Sequence, residues 1–426
     1  MEALTRFMDE KLAGPMTKLA NQKHLRALRD GMVATLPIII VGSFFLIIGG
    51  NLPLPADWGL QIFLKQNAAA IVLPYRLSMG IMALYATFGI GHSLAESYDL
   101  DGLSGGIIAT LAFLLTFTPV NVPADLKAGV AGWVLPMGNL GGGGMFVAIV
   151  TSMLAVEIFR FTDRSGLKIK MPEQVPTSVT RSFEAIFPTA IILIVFGAIT
   201  YWLGFNWHTF ISQLVSPLVS AADSYGSVML QTFLNSFFWV FGIHGASIVG
   251  NIARPIWVVL LEQNQALLAA GQPLQTIASE PFFQWFIYIG GSGATLGLAI
   301  AMVTVGKSSF SKQLGKTVFV PALFNINEPL MFGTPIVMNP ILMIPFVVTP
   351  LILGTIAWFA TSWGLVSKVS TIAPWTLPGP IGALMATGFD WRAAVLNIIL
   401  IVIATICYIP FFKIYDKSLL AEEQGN

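Results

Sequence analysis

Eight apolar stretches, each about long enough to cross a membrane, constrain the fold of this chain more than any other feature. They cover residues 31–50, 70–91, 103–120, 137–159, 183–204, 282–305, 341–363 and 391–412. A hydrocarbon core of about 30 Å requires about 20 apolar residues in a helix. Only 10% of the 426 residues are charged, whereas soluble proteins have about 25%. The sequence therefore predicts an all-α integral membrane protein.

Three further apolar stretches are interrupted by Gly, Pro, Asn and His: residues 209–260, 317–340 and 373–389. These residues predict short or discontinuous spans and re-entrant hairpins. Together with the eight clear stretches, they give a predicted total of about ten transmembrane helices. In the segment 1–30, Leu4, Phe7, Met8 and Leu12 share one helical face. That spacing predicts an amphipathic helix that lies on the membrane surface.

Lysine and arginine residues collect in four places, which predicts the orientation of the chain. They cluster before residue 30, between 160 and 181, between 307 and 316, and after residue 412. Because cytoplasmic loops are enriched in Lys and Arg, we expect both termini to be cytoplasmic in a multi-pass protein of the cell membrane. The net charge of +1 gives no support for nucleic-acid binding.

The polar segment 160–182 contains Pro172 and Pro176 and is the best internal boundary. It predicts a cytoplasmic linker between an N-terminal transmembrane block, 31–159, and a C-terminal block, 183–412, which a cytoplasmic tail, 413–426, follows. The single cysteine, Cys407, lies in an apolar run and has no second cysteine for a disulfide or a zinc cluster. We expect no metal and no cofactor.

Glu328 is the only formally charged residue between Lys316 and Lys368. A carboxylate at membrane depth costs about 2.5–3.5 kcal/mol on insertion scales, so it indicates a ligand or ion path. Pro321 and Pro329 prevent one unbroken helix here, and a broken backbone at that depth is tolerated only inside protein or beside a wet cavity. The sequence predicts a substrate site at Glu328; the alternative is an acid in a water-exposed loop.

Two tryptophans and a histidine accompany other breaks in the apolar pattern. His244 follows Gly242 and Ile243, and Trp239 precedes them; an imidazole can donate and accept hydrogen bonds or take a proton. The alternatives are a histidine satisfied by a backbone carbonyl and a tryptophan of the membrane interface. Trp375 lies in the run 373–380, beside three prolines.

The glycine-rich run 138–146 contains Asn139 and Gly141. Consecutive glycines disfavour a straight helix, by about 1 kcal/mol each relative to alanine. They allow backbone groups to approach a ligand, or alternatively they allow two helices to cross closely in lipid. The run has no following lysine and no strand pattern before it in the sequence, so we do not expect a phosphate-binding loop.

Together these polar islands offer a carboxylate, an imidazole, amides and flat aromatic rings. They lack a cluster of buried cations and a set of metal ligands. Such a combination suits a neutral polyhydroxyl solute better than an anion or a metal ion.

The run Asn327–Pro340, which reads NEPLMFGTPIVMNP, resembles the signature of the enzyme IIC sugar carriers of the bacterial phosphoenolpyruvate-dependent phosphotransferase system. The lactose, cellobiose and diacetylchitobiose family is the most similar one. The segment Gly242–Gly245 and the apolar opening around Pro37 also resemble that family, so the similarity covers nearly the whole chain.

The resemblance implies a permease that carries a β-linked disaccharide inward and presents its C6 hydroxyl for phosphorylation. The donor would be a phosphocysteine on a separate IIB protein, with IIA, HPr and enzyme I upstream. It also implies a homodimer that forms through the N-terminal block. Carried over by motif, Glu328 and His244 are the expected catalytic residues, and the sugar-binding residues would be Asn139, Gly141, Trp239, His244, Asn327, Glu328 and Trp375.

Two other functions use the same residues. A proton-coupled disaccharide symporter could use Glu328 and His244 as a proton relay. A membrane sensor would bind the sugar without moving it. The chemical form of the transported sugar distinguishes the three functions.

Overall fold

The computed structural model describes residues 22–50, 55, 57–125, 130–169, 172, 175, 180, 183–334, 336–337 and 339–424. The predicted amphipathic segment falls largely outside these residues. The described chain forms two compact units, each with its own internal contacts. We call residues 22–45 and 73–218 the N-terminal unit, and residues 46–72 and 219–424 the C-terminal unit.

The N-terminal unit consists mainly of helices. Its helices are α1 (Lys23–Gly50), α4 (Leu73–Ser78), α5 (Met82–Ser97), α6 (Gly102–Leu114), α7 (Met145–Arg164), α8 (Ile186–Gly197) and α9 (Trp207–Ala222). The last residues of α1 and α9 belong to the C-terminal unit. The unit also contains an antiparallel hairpin of β1 (Val120–Asp125) and β2 (Val130–Val134), so the prediction of an all-α fold is wrong at this point. The hairpin follows Pro119, where the apolar stretch 103–120 gives way to β-branched residues.

Small residues determine how α5 and α6 pack. A Cβ atom built on Gly105 would lie 2.3 Å from the Cβ of Ala95, and one built on Gly91 would lie 2.4 Å from the Cβ of Ala109. Neither glycine has space for a side chain because the two backbones approach so closely. Small residues at helix crossings are typical of membrane proteins, where van der Waals packing drives helix association.

The C-terminal unit contains the remaining helices. They are α2 (Gly59–Gln66), α3 (Ala68–Ile71), α10 (Tyr225–Val240), α11 (Gly245–Ala269), α12 (Glu280–Phe286), α13 (Leu296–Val305), α14 (Ser309–Leu323), α15 (Glu328–Gly333), α16 (Met343–Ser362), α17 (Gly379–Ala386) and α18 (Trp391–Glu423). In its core α13 packs against α18, and α10 packs against α16.

Six helical segments of the described chain are long and apolar enough to cross a membrane, or seven if a bent pair counts as one span. They are Lys23–Leu46, Ala68–Ser97, Gly142–Arg164, Gly245–Ala269, Met343–Ser362 and Trp391–Glu423, and the pair is Ile186–Trp202 with Trp207–Ala222. A total of about ten would require shorter apolar helices, such as α6 and α13, to cross as well.

The predicted span 282–305 is broken in the structure. Helix α12 ends at Phe286 and α13 begins at Leu296. Between them Gly290, Gly291 and Gly293 have φ angles of 78°, 99° and 82°, which glycine adopts without steric cost. The stretch 317–340 is discontinuous as predicted, because α14 ends at Leu323 and α15 covers only Glu328–Gly333.

The division into units differs from the predicted blocks. Residues 183–218 belong to the N-terminal unit, so the described residues of the predicted linker (160–169, 172, 175 and 180) lie within that unit rather than at its edge. Helix α7 also extends to Arg164, four residues beyond the predicted start of the linker.

Candidate functional site

The site predicted around Glu328 lies where the chain breaks between α14 and α15. Asn325 has a positive φ of 63°, which ends the α14 turn, and Glu328 is the first residue of α15, with Pro329 directly after it. The Glu328 side chain is exposed. A carboxylate in the first turn of a helix is favourable electrostatically, and the break leaves it free to meet a ligand.

Two buried asparagines hold this break in place. The Asn325 Oδ1 atom accepts a hydrogen bond from the Gly290 backbone N–H at 2.9 Å, and its Nδ2 atom donates to the Trp375 carbonyl at 2.8 Å. Asn327 donates from Nδ2 to the Ser292 carbonyl at 3.1 Å. Thus the amide nitrogen of Asn327, a predicted sugar-binding residue, is engaged by the protein backbone.

His244 caps the N-terminus of α11. Its Nδ1 atom accepts from the Ser247 backbone N–H at 3.1 Å and lies 2.8 Å from the Ser247 hydroxyl oxygen. Because Nδ1 acts as an acceptor, a neutral His244 carries its proton on Nε2. The ring therefore offers one N–H donor to a ligand.

Trp239 and the Glu328 segment adjoin His244. The ring centroids of Trp239 and His244 are 4.5 Å apart, and Trp239 is only 5% exposed, unlike a tryptophan of the membrane interface. A Cβ atom built on Gly242 would lie 3.4 Å from Val337 Cγ1. The loop before α11 therefore lies against the segment that follows α15.

Trp375 joins the same site through its backbone. The hydrogen bond from Asn325 ties the Trp375 carbonyl to the chain break, while 57% of the residue is exposed. An exposed indole provides a flat apolar face that can contact the C–H groups of a sugar ring. The structure brings together five predicted residues, Trp239, His244, Asn327, Glu328 and Trp375, within the C-terminal unit.

A cavity of about 160 Å³ lies beside this site in the C-terminal unit, between α10, α11 and α12. It begins within one turn of His244, at Ala246, and Asn235, Trp257 and Gln284 also line it. On its wall Arg254 Nη2 and Glu280 Oε1 form an ion pair at 2.8 Å. The sequence analysis missed this pair. The signal was two opposite charges 26 residues apart, each directly before an apolar run.

Two hydrogen bonds of Ser292 connect the cavity lining to the chain break. The Ser292 hydroxyl donates to Asn235 Oδ1 at 3.4 Å, and the Ser292 carbonyl accepts from Asn327. Asn235 lines the cavity, and its own carbonyl lies 1.9 Å from a Cβ built on Gly245. Gly245 must therefore remain a glycine for α11 to begin here.

Asn139 and Gly141 belong to the N-terminal unit. Asn139 ends a short 3₁₀ turn, Met137–Asn139, and its side chain is exposed. Gly141 is buried and precedes a second 3₁₀ turn, Gly142–Gly144, which leads into α7. A Cβ built on Gly144 would lie 1.8 Å from the Asn139 carbonyl oxygen. The glycine run thus allows the backbone to fold tightly upon itself before α7.

The described part of the chain contains no group of three or more His, Cys, Asp or Glu residues with the geometry of a metal site. What the chain-break site offers instead is a pair of complementary groups. A sugar hydroxyl can donate to a carboxylate such as that of Glu328 and accept from an imidazole N–H such as that of His244.

Comparison with known proteins identifies the family of this chain. The family described as "Phosphotransferase system, EIIC" matches residues 29–350. The chain belongs to the EIIC family of the phosphotransferase system. This membership and the apolar helices make it a multi-pass membrane protein.

Two relatives and one solved structure are similar over nearly their full lengths. The chain is 40% identical to the lichenan permease IIC component of Bacillus subtilis, over 99% of this chain and 96% of the relative. It is 38% identical to the cellobiose-specific EIIC component of Geobacillus stearothermophilus, over 100% and 97%. The crystal structure of the transporter ChbC, the IIC component from the N,N'-diacetylchitobiose-specific phosphotransferase system, matches with a TM-score of 0.90 and 37% identity, covering 99% of this chain and 100% of that one.

Proposed function

We propose that this EIIC protein is a sugar permease that carries a β-linked disaccharide, such as cellobiose or diacetylchitobiose, across the cell membrane. The names of its relatives support this substrate class. The observation that carries the proposal is the position of His244, whose free ring nitrogen is an N–H donor, on a loop that lies against the segment following Glu328. Together Glu328 and His244 would recognise one hydroxyl group from both sides.

In the proposed reaction the C6 hydroxyl of the bound sugar lies between these two groups. His244 Nε2–H donates to the hydroxyl oxygen and orients it. Glu328 accepts the hydroxyl proton as the oxygen attacks the phosphorus of a phosphocysteine on a IIB protein. The new O–P bond forms as the S–P bond breaks, and the electron pair of that bond remains on the cysteine sulfur as thiolate. General-base help of this kind contributes about 10²–10⁴ to a rate.

Several further features of the proposal concern the assembly. The phosphoryl group would reach IIB from enzyme I, HPr and IIA, and the chain would act as a homodimer with both termini in the cytoplasm.

The Trp375 face and the amide-lined cavity beside Arg254 and Glu280 would hold the rest of the disaccharide. Aromatic rings and a few convergent polar groups are the usual lining of a site for a neutral ligand.

The form of the accumulated sugar tests this function. Right-side-out vesicles receive internal phosphoenolpyruvate and the soluble phosphotransferase proteins, and labelled cellobiose is added outside. We expect phosphocellobiose to accumulate inside, and to do so in the presence of an uncoupler. Accumulation of unmodified sugar that collapses with the uncoupler would support the proton-coupled symporter instead. Binding without accumulation would support a sensor.

A further inference from the structure

The loop between α12 and α13, residues 287–295, contacts the chain break that carries Glu328. We call it the glycine loop, because its three glycines have positive φ angles. One of its backbone N–H groups donates to Asn325 Oδ1 at 2.9 Å, and one of its carbonyls accepts from Asn327 Nδ2 at 3.1 Å. Both asparagines belong to the break, so the loop is bound to the residues that directly precede Glu328.

Gly291 of this loop leaves the space that the Asn327 side chain fills. A Cβ atom built on Gly291 would lie 2.5 Å from Asn327 Cγ and 2.7 Å from Asn327 Nδ2, closer than nonbonded atoms approach. Asn327 is only 5% exposed, whereas Glu328 is exposed. The Met331 backbone N–H donates to the Asn327 carbonyl at 2.8 Å, a hydrogen bond of the first turn of α15. Asn327 therefore connects the glycine loop to the turn that begins with Glu328.

The other side of the glycine loop is held from within the protein core. Tyr408 of α18 is fully buried, and its hydroxyl donates to the Gly293 carbonyl at 2.7 Å. A Cβ atom built on Gly293 would collide with the Phe346 ring of α16. Within the loop, Thr295 Oγ1 donates to the Gly290 carbonyl at 2.7 Å. The loop is thus fixed to α16 and α18 on one side and to the chain break on the other.

We propose that the glycine loop sets the position of the Glu328 carboxylate, with Asn327 and Tyr408 as positioning residues. The inference rests on the proposed function, in which Glu328 accepts the proton of the sugar hydroxyl. It gives Asn327 a role other than the sugar contact that the sequence predicted. A displaced carboxylate still accepts a hydrogen bond from a sugar but is misaligned for proton transfer, where a shift of about 1 Å can cost about a hundredfold in rate.

Tyr408→Phe gives the first test, because it removes a single oxygen atom from a fully buried residue. Protein in nanodiscs receives phosphorylated IIB, and the rate of phosphocellobiose formation at saturating cellobiose is compared with the calorimetric affinity for cellobiose. We expect the rate to fall about tenfold and the affinity to change by less than about twofold. Tyr225→Phe is the matched control and should change neither, because the Tyr225 hydroxyl bonds with Thr355 at 3.0 Å and not with the glycine loop.

Combination with Glu328→Gln separates a positioning role from a general loss of folded protein. If Tyr408 acts through the Glu328 carboxylate, Tyr408→Phe has nothing left to misplace once that carboxylate is absent. The rate of the double variant should then equal that of Glu328→Gln alone. A loss of folded protein would instead lower the rate by the same factor in both backgrounds. Asn327→Ala should behave as Tyr408→Phe does, in rate, in affinity and in combination with Glu328→Gln.

Gly291→Ala tests the contact between the loop and the break directly. The added methyl group requires the Asn327 side chain to move, so we expect the rate to fall about tenfold or more. Gly364→Ala is the control and should keep the full rate: Gly364 also has a positive φ, of 73°, but a Cβ atom there meets nothing within 4 Å. In Asn327→Ala the amide is absent, and the further substitution Gly291→Ala should cause no additional decrease.

The set of variants distinguishes this inference from the proposed function. If Glu328→Gln abolishes phosphorylation while Tyr408→Phe, Asn327→Ala and Gly291→Ala act as the unchanged protein does, the inference is wrong and the proposed function stands. If Glu328→Gln phosphorylates sugar normally, both are wrong. Weaker cellobiose binding in Asn327→Ala alone would make Asn327 a sugar contact and overturn the inference. Equal losses with and without the Glu328 carboxylate would also overturn it, whereas losses that require the carboxylate would support it.

Discussion

At the scale of single residues, the carboxylate of Glu328 gives the most direct test of the proposed site. Glu328→Gln keeps the shape of the side chain and removes its charge. A hydrogen bond to a charged group contributes about 1.5–3 kcal/mol, so cellobiose binding should weaken about ten- to a hundredfold. Phosphorylation should fall by a further factor of about 10²–10⁴, since the proton acceptor is lost. Calorimetric titration and phosphosugar formation measure the two effects.

A matched control for Glu328→Gln is Glu422→Gln, because Glu422 is an exposed acid near the C-terminal end of α18. It should bind and phosphorylate sugar as the unchanged protein does. Removal of the Glu328 charge should also leave expression intact, since a neutral side chain enters the membrane more easily. Normal binding and turnover in Glu328→Gln would contradict the proposed role and show that Glu328 is only a solvated acid in a loop.

His244 has two separable roles, as cap of α11 and as proposed hydroxyl donor. In His244→Asn the shorter side chain remains a good N-cap, but it lacks the imidazole Nε2–H. We expect thermal stability to stay near that of the unchanged protein, with sugar affinity about tenfold lower. In His244→Ala the cap is lost as well, at a cost of about 1 kcal/mol. If both variants bind sugar normally, His244 is a structural residue only.

At the scale of helices, the crossing of α5 and α6 depends on glycines that have no space for a Cβ atom. Gly105→Ala would place a methyl group 2.3 Å from the Cβ of Ala95, so the helices must move apart. Overpacking of this kind costs about 1–3 kcal/mol. Gly226→Ala is the control, because a Cβ there meets nothing within 4 Å. Thermal unfolding in detergent should show a lower midpoint for Gly105→Ala and no decrease for Gly226→Ala.

The helix breaks illustrate how much of the fold was predictable. Proline and asparagine mark the break between α14 and α15 in the sequence, and the prediction there was correct. The break between α12 and α13 was missed because the whole stretch 282–305 is apolar enough to read as one span. Only the positive φ angles at Gly290, Gly291 and Gly293, supported by the Asn325 side chain 35 residues away, reveal that it is a loop.

At the scale of the whole molecule, we predict that transport requires the C-terminal unit to move as a body against the N-terminal unit. Cysteine pairs that join the two units, introduced after replacement of Cys407, should abolish uptake when oxidised. Cellobiose binding from one side should persist, since the five predicted residues of the main site all lie in the C-terminal unit. Full-rate uptake with the units joined would contradict this movement. Reduction of the disulfide serves as the internal control.

The sequence by itself determined the class of the protein, the position of the Glu328 break and the family. Hydropathy, proline and a contiguous motif are local properties, so they can be read without knowledge of what packs against them. The tertiary structure alone decided which groups meet. Asn325 binds the carbonyl of Trp375, Arg254 pairs with Glu280, and Thr116 meets His208 across 92 residues of chain. Each pairing depends on how helices distant in sequence pack together, and no local pattern records that packing.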